Sequence, residues 1–124
     1  IAYEFIWLHP PYHDLIEYND DSRCLSRCFS YEEFLGRLQK VMENCVSVLG
    51  EEGKLAILVG EIVRKGECYQ LPYQVERIAS ENLNLRLLPP GRISRLQHGA
   101  TSTKKEYAHA FIPRIHDELM IFTK

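Results

Sequence analysis

Runs of apolar residues along the chain predict where its regular structure lies. Residues 5–8 form a short, continuous apolar run, which is typical of a buried strand, and two prolines end it soon afterwards. Residues 13–29 carry no regular pattern. Ser30 and Glu33 then form a capping box ahead of apolar residues at helical spacing, which predicts a helix over residues 31–49.

The rest of the chain continues the alternation of strand and helix. Residues 54–60 are nearly all apolar, as expected of a strand covered on both faces in a parallel sheet. A polar segment, residues 61–67, leads to a helix over residues 72–82 and a third strand over residues 83–88. The last strand, residues 116–122, follows a long loop without an intervening helix, so we expect it to run antiparallel at an edge. This order belongs to the α/β class with a mostly parallel sheet.

The composition is that of a single globular domain. The chain has 124 residues, 45% of them hydrophobic, and a formal net charge of -2. One core fits this length, which excludes separate catalytic and target-recognition domains. Because Ile1 opens an apolar run, we expect residues 1–124 to be one domain of a longer polypeptide.

Several classes of protein are excluded by what the sequence lacks. No apolar run is long enough to span a bilayer, and neither end carries a signal or lipidation pattern. We therefore expect a cytoplasmic protein with no membrane partner. The four cysteines form no dense framework, so we expect them to be reduced.

Charge is distributed unevenly along the chain. Residues 1–52 contain 4 basic and 10 acidic side chains, whereas residues 53–124 contain 11 and 7. Residues 86–105 have no acid and include prolines and glycines, which predicts a loop. Such a loop is either solvated or contacts phosphate groups. Its candidate contacts are Arg92, Arg95, Lys104 and Lys105.

The loop after the first strand has the features of a ligand site. It reads His9-Pro10-Pro11-Tyr12, at the carboxyl end of a strand, where open α/β sheets bind ligands. The prolines fix the backbone and remove two donors, which leaves the carbonyls of His9 and Pro10 available, and Tyr12 offers a flat ring. The loop therefore suits a planar polar ligand, or it is simply a rigid turn.

The same residues resemble a known family. The run Phe5-Ile6-Trp7-Leu8-His9-Pro10-Pro11-Tyr12 is similar to the catalytic strand and loop of the amino-group DNA methyltransferases, which modify N6 of adenine or N4 of cytosine. Their motif is Asp/Asn/Ser-Pro-Pro-Tyr/Phe/Trp. Residues 48–61 resemble the family's following Gly-rich turn and strand, and residues 115–124 resemble its last strand. The resemblance extends over nearly the whole chain.

The resemblance implies both a fold and a chemistry. The fold is half of a Rossmann-like sheet of S-adenosylmethionine-dependent methyltransferases, mostly parallel with an antiparallel last strand. His9, Pro10, Pro11 and Tyr12 would be catalytic, and His9 and Pro10 would also contact S-adenosylmethionine. The His9 ring and the Pro10 carbonyl would accept hydrogens of the target amine, and Tyr12 would stack on the flipped base. DNA would be the substrate. The acid-free basic loop, and not the resemblance, suggests Arg92, Arg95, Lys104 and Lys105 as contacts to the DNA backbone.

Two features depart from the family's pattern. His9 replaces Asp, Asn or Ser, and a neutral imidazole offers only one ring acceptor. The chain also contains no Gly-x-Gly turn, with which the family binds S-adenosylmethionine. We therefore expect the remainder of the methyltransferase, carrying the Gly-rich cofactor loop, to lie outside these residues, and the 124 residues alone to be inactive.

Other hypotheses stay open at the level of sequence. Methyltransferases acting on RNA or on protein glutamine use a similar loop, and a non-catalytic module would keep the half-fold for binding nucleic acid or protein. A zinc-stabilised module would use His9, His13, Cys24 and Cys28, but their spacing is unlike that of compact ligand pairs, so we predict no metal site. The target base, the recognition sequence and the oligomeric state are not set by the sequence.

Overall fold

The computed structural model of the chain describes residues 2–10, 30–64, 67–96 and 116–124. A π-helical turn, Ile78–Asn82, continues the second helix. Neither α-helix in the described part of the chain is long and apolar enough to cross a membrane. The elements in chain order are β1 (Tyr3–Leu8), α1 (Tyr31–Ser47), β2 (Leu49–Val59), β3 (Ile62–Arg64), β4 (Glu67–Tyr69), α2 (Leu71–Arg77), β5 (Arg86–Leu87), β6 (Ile93–Leu96) and β7 (His116–Thr123).

Five strands form one mixed sheet in the order β1-β2-β7-β5, and β6 also pairs with β7. The antiparallel direction of the last strand is confirmed, since β7 runs antiparallel to β2, β5 and β6. The prediction of a mostly parallel sheet is wrong, because β1 and β2 form the one parallel pair among the described strands. The edge position predicted for β7 is also wrong. β7 is an interior strand, because it pairs with β2 along one side and with β5 and β6 along the other.

α1 forms for the reasons that the sequence gives. The Ser30 hydroxyl accepts a hydrogen bond from the Glu33 backbone N–H at 3.1 Å, which caps the first turn. Phe34, Leu38 and Met42, spaced four residues apart, are fully buried. The helix ends at Ser47, slightly before the predicted end, because β2 begins almost immediately after it.

β2 starts at Leu49 rather than at Lys54, with an irregular first part. Tyr3 of β1 pairs with Leu49, yet Phe5 pairs with Lys54, so β2 bulges between these two positions. Gly53 lies in the bulge, where a Cβ atom would stand 2.9 Å from the Tyr3 carbonyl oxygen. Only glycine allows this close approach of the two strands.

The core lies between the sheet and the two helices. The cross-strand pairs Leu55–Phe122 and Ile57–Met120 share one face of the sheet, and all four side chains are fully buried. Residues 55–59 are buried on both faces, as the sequence predicts. The helical side chains of the same cluster are Phe34, Leu38, Met42, Leu71, Val75, Ile78 and Ala79.

Four short strands differ from the sequence predictions. The predicted strand over residues 83–88 is reduced to β5, because Asn84 adopts a positive φ of 53° and the Leu85 N–H donates back to the Ala79 carbonyl at 2.9 Å. The predicted polar segment 61–67 forms part of an antiparallel hairpin, β3 and β4. The predicted basic loop contains β6, which pairs with β7.

Candidate functional site

The carboxyl ends of β1 and β2 meet at one edge of the sheet. His9 and Pro10 follow β1 directly, and Glu61 comes just after β2. The two strands are parallel, with Leu8 paired to Ile57, so both ends point to the same side of the molecule. His9 is exposed there and Pro10 is buried. This part of the predicted catalytic loop therefore lies where ligands bind in open α/β sheets.

The remaining predicted residues of the loop, Pro11 and Tyr12, lie outside the described residues. So do Lys104 and Lys105 of the basic segment, and the zinc candidates His13, Cys24 and Cys28. Within the described residues, no group of three or more His, Cys, Asp or Glu side chains is arranged to hold a metal ion. Among the described residues, Cys45 and Cys68 form no disulfide.

The amino end of β7 reaches the same edge of the sheet, because β7 runs antiparallel to β2. The Arg95 guanidinium lies 2.8 Å from the carboxylate of Asp117, a residue only 3% exposed. His116 lies 3.3 Å from the Glu118 carboxylate, to which the Ser94 hydroxyl also donates at 3.4 Å. The Arg95–Asp117 and Ser94–Glu118 contacts fix β6 against β7. Because β2 lies between β1 and β7, the side chains at this end of β7 lie about 10 Å from the end of β1.

Both described arginines of the predicted DNA contact have carboxylate partners. Arg95 pairs with the buried Asp117, and Arg92 Nε lies 3.5 Å from a Glu76 carboxylate oxygen on α2. Each guanidinium stays partly exposed, at 34% for Arg92 and 56% for Arg95. Their contact with DNA stays a prediction.

An aromatic cluster covers the start of α1, near the end of β2. The Tyr31 ring packs against Tyr69 of β4 with ring centroids 4.8 Å apart, and it stacks on Phe34 at 6.2 Å. The Tyr31 hydroxyl is buried, with no hydrogen-bond partner among the described residues. Burial, and then the Glu61 carboxylate, raises the pKa of Tyr31 to about 12. Glu61 also accepts a hydrogen bond from the Cys68 thiol at 3.6 Å.

Sequence reasoning missed this cluster because it missed the β3–β4 hairpin. The signal is weak but present: Ile62 and Val63 precede Gly66, and Cys68 and Tyr69 follow it. Two short stretches of strand-forming residues around a glycine are typical of a hairpin. The charged side chains between them dominate the composition of the segment and hide this pattern.

No protein-family model matches the chain, and no curated protein matches it. Its structure is similar to that of TTHA0409 from Thermus thermophilus, a protein to which DNA modification methylase activity is ascribed. The TM-score is 0.69 at 20% identity, over 99% of this chain and 46% of TTHA0409. A selenomethionine form of that protein gives a TM-score of 0.68 at 19% identity.

A third structure of TTHA0409 is a complex with S-adenosyl-L-methionine. It matches 97% of this chain and 46% of its own length, with a TM-score of 0.65 and 19% identity. The likeness shows that this chain shares its mixed α/β fold with TTHA0409. This chain spans less than half the length of these solved structures.

Proposed function

We propose that this chain supplies the amine-methylating half of an S-adenosylmethionine-dependent DNA methyltransferase that modifies N6 of adenine or N4 of cytosine. The observation that carries the proposal is the position of His9 and Pro10. They follow β1 at the carboxyl edge of a sheet whose fold matches that of TTHA0409. A structure of TTHA0409 with S-adenosyl-L-methionine supports that cofactor for this chain as well.

The chemistry of an exocyclic amine explains why hydrogen-bond acceptors are needed where the amine is methylated. The lone pair of the amine nitrogen is delocalised into the base ring, and acceptors that hold both amine hydrogens favour a more nucleophilic nitrogen. The Pro10 carbonyl and one ring nitrogen of neutral His9 are the acceptors that this chain offers. Bound S-adenosylmethionine would supply the methyl group to a nitrogen held in this way, and the proton lost by the methylated amine would pass to solvent.

Each residue of the loop has a separate task in this proposal. Buried Pro10 holds its own backbone in a fixed position, whereas exposed His9 is accessible to a base that leaves the duplex. Pro11 restricts the shape of the loop, and the Tyr12 ring stacks on the flipped base.

The cofactor needs more than this chain provides. S-adenosylmethionine supplies the electrophilic methyl group, and His9 and Pro10 are the residues that would contact it here. The chain has no Gly-x-Gly turn, so these residues fit only a part of the cofactor. The proposal therefore includes a second half of the enzyme, which carries that turn.

Transfer of a labelled methyl group to DNA tests this proposal. The enzyme is the longest polypeptide that the gene encodes, incubated with DNA and S-adenosylmethionine labelled in its methyl group. We expect His9→Ala to lower kcat by about 100-fold, because one acceptor of the amine is lost. Tyr12→Ala should weaken turnover through the lost stacking. Tyr73→Ala, which removes an exposed ring on α2, is the matched control and should leave the rate unchanged.

A second substitution at His9 tests directly whether the number of hydrogen-bond acceptors there limits the rate. His9→Asp introduces the residue that the methyltransferase motif prefers, with two acceptor oxygens, and it should retain or increase the rate. Methyl transfer that is equally fast in the wild type and in both alanine variants would contradict the assigned roles. The absence of any methyl transfer to DNA would contradict the proposed activity.

His9 also favours a second candidate function, a non-catalytic module that binds nucleic acid or protein. The imidazole offers fewer acceptors than the carboxylate or amide of the family's motif. This candidate predicts DNA binding that S-adenosylmethionine does not change, and no labelled product.

A further inference from the structure

β6 ends at the edge of the sheet that carries the candidate site. β7 runs antiparallel to β2, and β6 runs antiparallel to β7, so β6 points in the same direction as β1 and β2. Its last residue, Leu96, therefore lies on the same side of the molecule as His9 and Pro10, which follow β1. DNA bound at that edge would pass both places.

The register of the strands places Leu96 far out on this edge. Glu118 pairs with Val59, the last residue of β2, and with Ser94 of β6. Leu96 pairs with His116, which lies two residues beyond Glu118. Leu96 therefore stands about two residue lengths, roughly 7 Å, beyond the end of β2.

Leu96 is also the most exposed large apolar side chain in the described part of the chain, at 62%. An isolated exposed leucine is ordinary on a protein surface, so its surroundings decide what it can do. The neighbouring Arg95 guanidinium stays 56% exposed. An apolar side chain next to an exposed cation suits a duplex, which has phosphates outside and stacked bases within.

The strand that carries Leu96 is held firmly in place. Arg95 pairs at 2.8 Å with Asp117, which is only 3% exposed, and the Ser94 hydroxyl donates to Glu118 at 3.4 Å. All four residues of β6 also pair with β7. A side chain on such a strand is positioned more precisely than one on a loop, as entry between two bases requires.

We propose that Leu96 enters the base stack of the DNA and fills the gap that the target base leaves when it rotates into the site. An enzyme that modifies a base of a duplex must extrude that base, which costs the energy of unpairing and unstacking. Apolar side chains such as leucine insert between base steps and bind the distorted duplex. The inference rests on the proposed function and adds a residue that acts on the DNA.

The distance between Leu96 and the candidate site fits this role. Three strand spacings separate β6 from β1, which amounts to about 14 Å. A flipped base turns by about 180° about its backbone, so the gap lies on the other side of the backbone from the flipped base. The residue that fills the gap must therefore stand apart from the residues that hold the base, as Leu96 does from His9 and Pro10.

Methyl transfer to paired and mismatched duplexes tests the inference. The enzyme is the longest polypeptide that the gene encodes, and sequencing of DNA that it has methylated first maps the modified base and its neighbours. Two oligonucleotide duplexes then carry this site, one fully paired and one with a mismatch opposite the target base. A mismatched base is extruded at lower cost, so it depends less on an inserted side chain.

The expected result is a loss that depends on the duplex. We expect Leu96→Ala to lower the single-turnover rate about 10-fold on the paired duplex and less than about 2-fold on the mismatched one. Leu96→Phe keeps a large apolar side chain and should retain the rate on both. Ile93→Ala truncates another exposed apolar side chain of β6, on the opposite face of the strand, and should leave both rates unchanged.

The other outcomes separate this inference from the proposed function. If Leu96→Ala loses the same factor on both duplexes, or loses nothing on either, the inference is overturned and the proposed function stands. A similar loss in Ile93→Ala would assign the effect to β6 as a whole and would also overturn the inference. The absence of methyl transfer by the wild type would refute the proposed function, and the inference with it.

Discussion

Tyr31 carries a polar group that is costly in its present environment. Its buried hydroxyl has no hydrogen-bond partner among the described residues, while its ring packs on Phe34 and Tyr69. We expect Tyr31→Phe to keep the packing and to raise the free energy of unfolding by up to about 1 kcal/mol at pH 7. Urea denaturation measures this change, with Tyr73→Phe as the exposed control. A loss of stability in Tyr31→Phe would mean that the hydroxyl has a stabilising partner.

The same residue predicts how stability changes at high pH. Its pKa rises from 10.0 to about 12 on folding, first because of burial and then because of the nearby Glu61 carboxylate. The folded state therefore favours the neutral phenol. This contribution is fully present below pH 10 and is lost as the pH rises towards 12. Denaturation between about pH 9 and pH 12 should show a smaller loss for Tyr31→Phe than for the wild type, and equal losses would refute the assignment.

Individual residues of the site were predictable only where the signal is local. The capping box at Ser30 and Glu33 and the position of His9 and Pro10 follow from neighbouring residues in sequence. The pairing of Arg95 with Asp117 does not, because it depends on how β6 and β7 align. Arg95, which the sequence suggested as a phosphate contact, therefore has a structural role that composition did not reveal.

At the scale of elements, two glycines make a matched pair for mutation. Gly36 lies within α1, where an added Cβ would meet nothing within 4 Å. We expect Gly36→Ala to stabilise the protein by about 1 kcal/mol, because alanine is the better helix former. Gly53→Ala would place its Cβ 2.7 Å from the Leu49 side chain and 2.9 Å from a β1 carbonyl oxygen, so it should destabilise by about 1–3 kcal/mol. Thermal denaturation of both variants checks the opposite signs, and equal effects would contradict the bulge.

The elements that the sequence predicted well are those that bury the most apolar surface. α1 has strong helical periodicity and begins at Tyr31 as predicted, although it ends two residues early, and the second part of β2 is the nearly all-apolar run that was predicted as a strand. β3, β4, β5 and β6 are two to four residues long and partly polar, so their hydrogen bonds to distant strands define them. Local patterns contain no information on such partners, nor on whether a neighbouring strand runs parallel or antiparallel.

At the scale of the whole molecule, the proposed binding of DNA predicts that the basic segment sets how the affinity depends on salt. Arg92 and Arg95 already face carboxylates, so we expect Lys104 and Lys105 to make the larger contribution to phosphate binding. Exchanging both lysines for glutamine should reduce the slope of log K against log salt by about 2. Fluorescence anisotropy with duplex DNA measures the slope, and Lys40→Gln on α1 is the control.

The outcome of that titration is informative in both directions. An unchanged slope in the double lysine variant would contradict the assignment of this segment to the DNA backbone. A slope that also changes in Lys40→Gln would indicate an effect of overall charge instead. The formal net charge of -2 gives no general attraction to DNA, so any strong salt dependence must come from a local surface.

The interior position of β7 determines when the sheet can close during synthesis of the chain. On the ribosome, residues 54–59 emerge long before residues 118–123, with which they pair. Until then the nascent chain exposes the second edge of β2 and the core face that Met120 and Phe122 later fill. Closure of the sheet therefore waits for these long-range contacts, which slow folding and leave apolar surface exposed until they form.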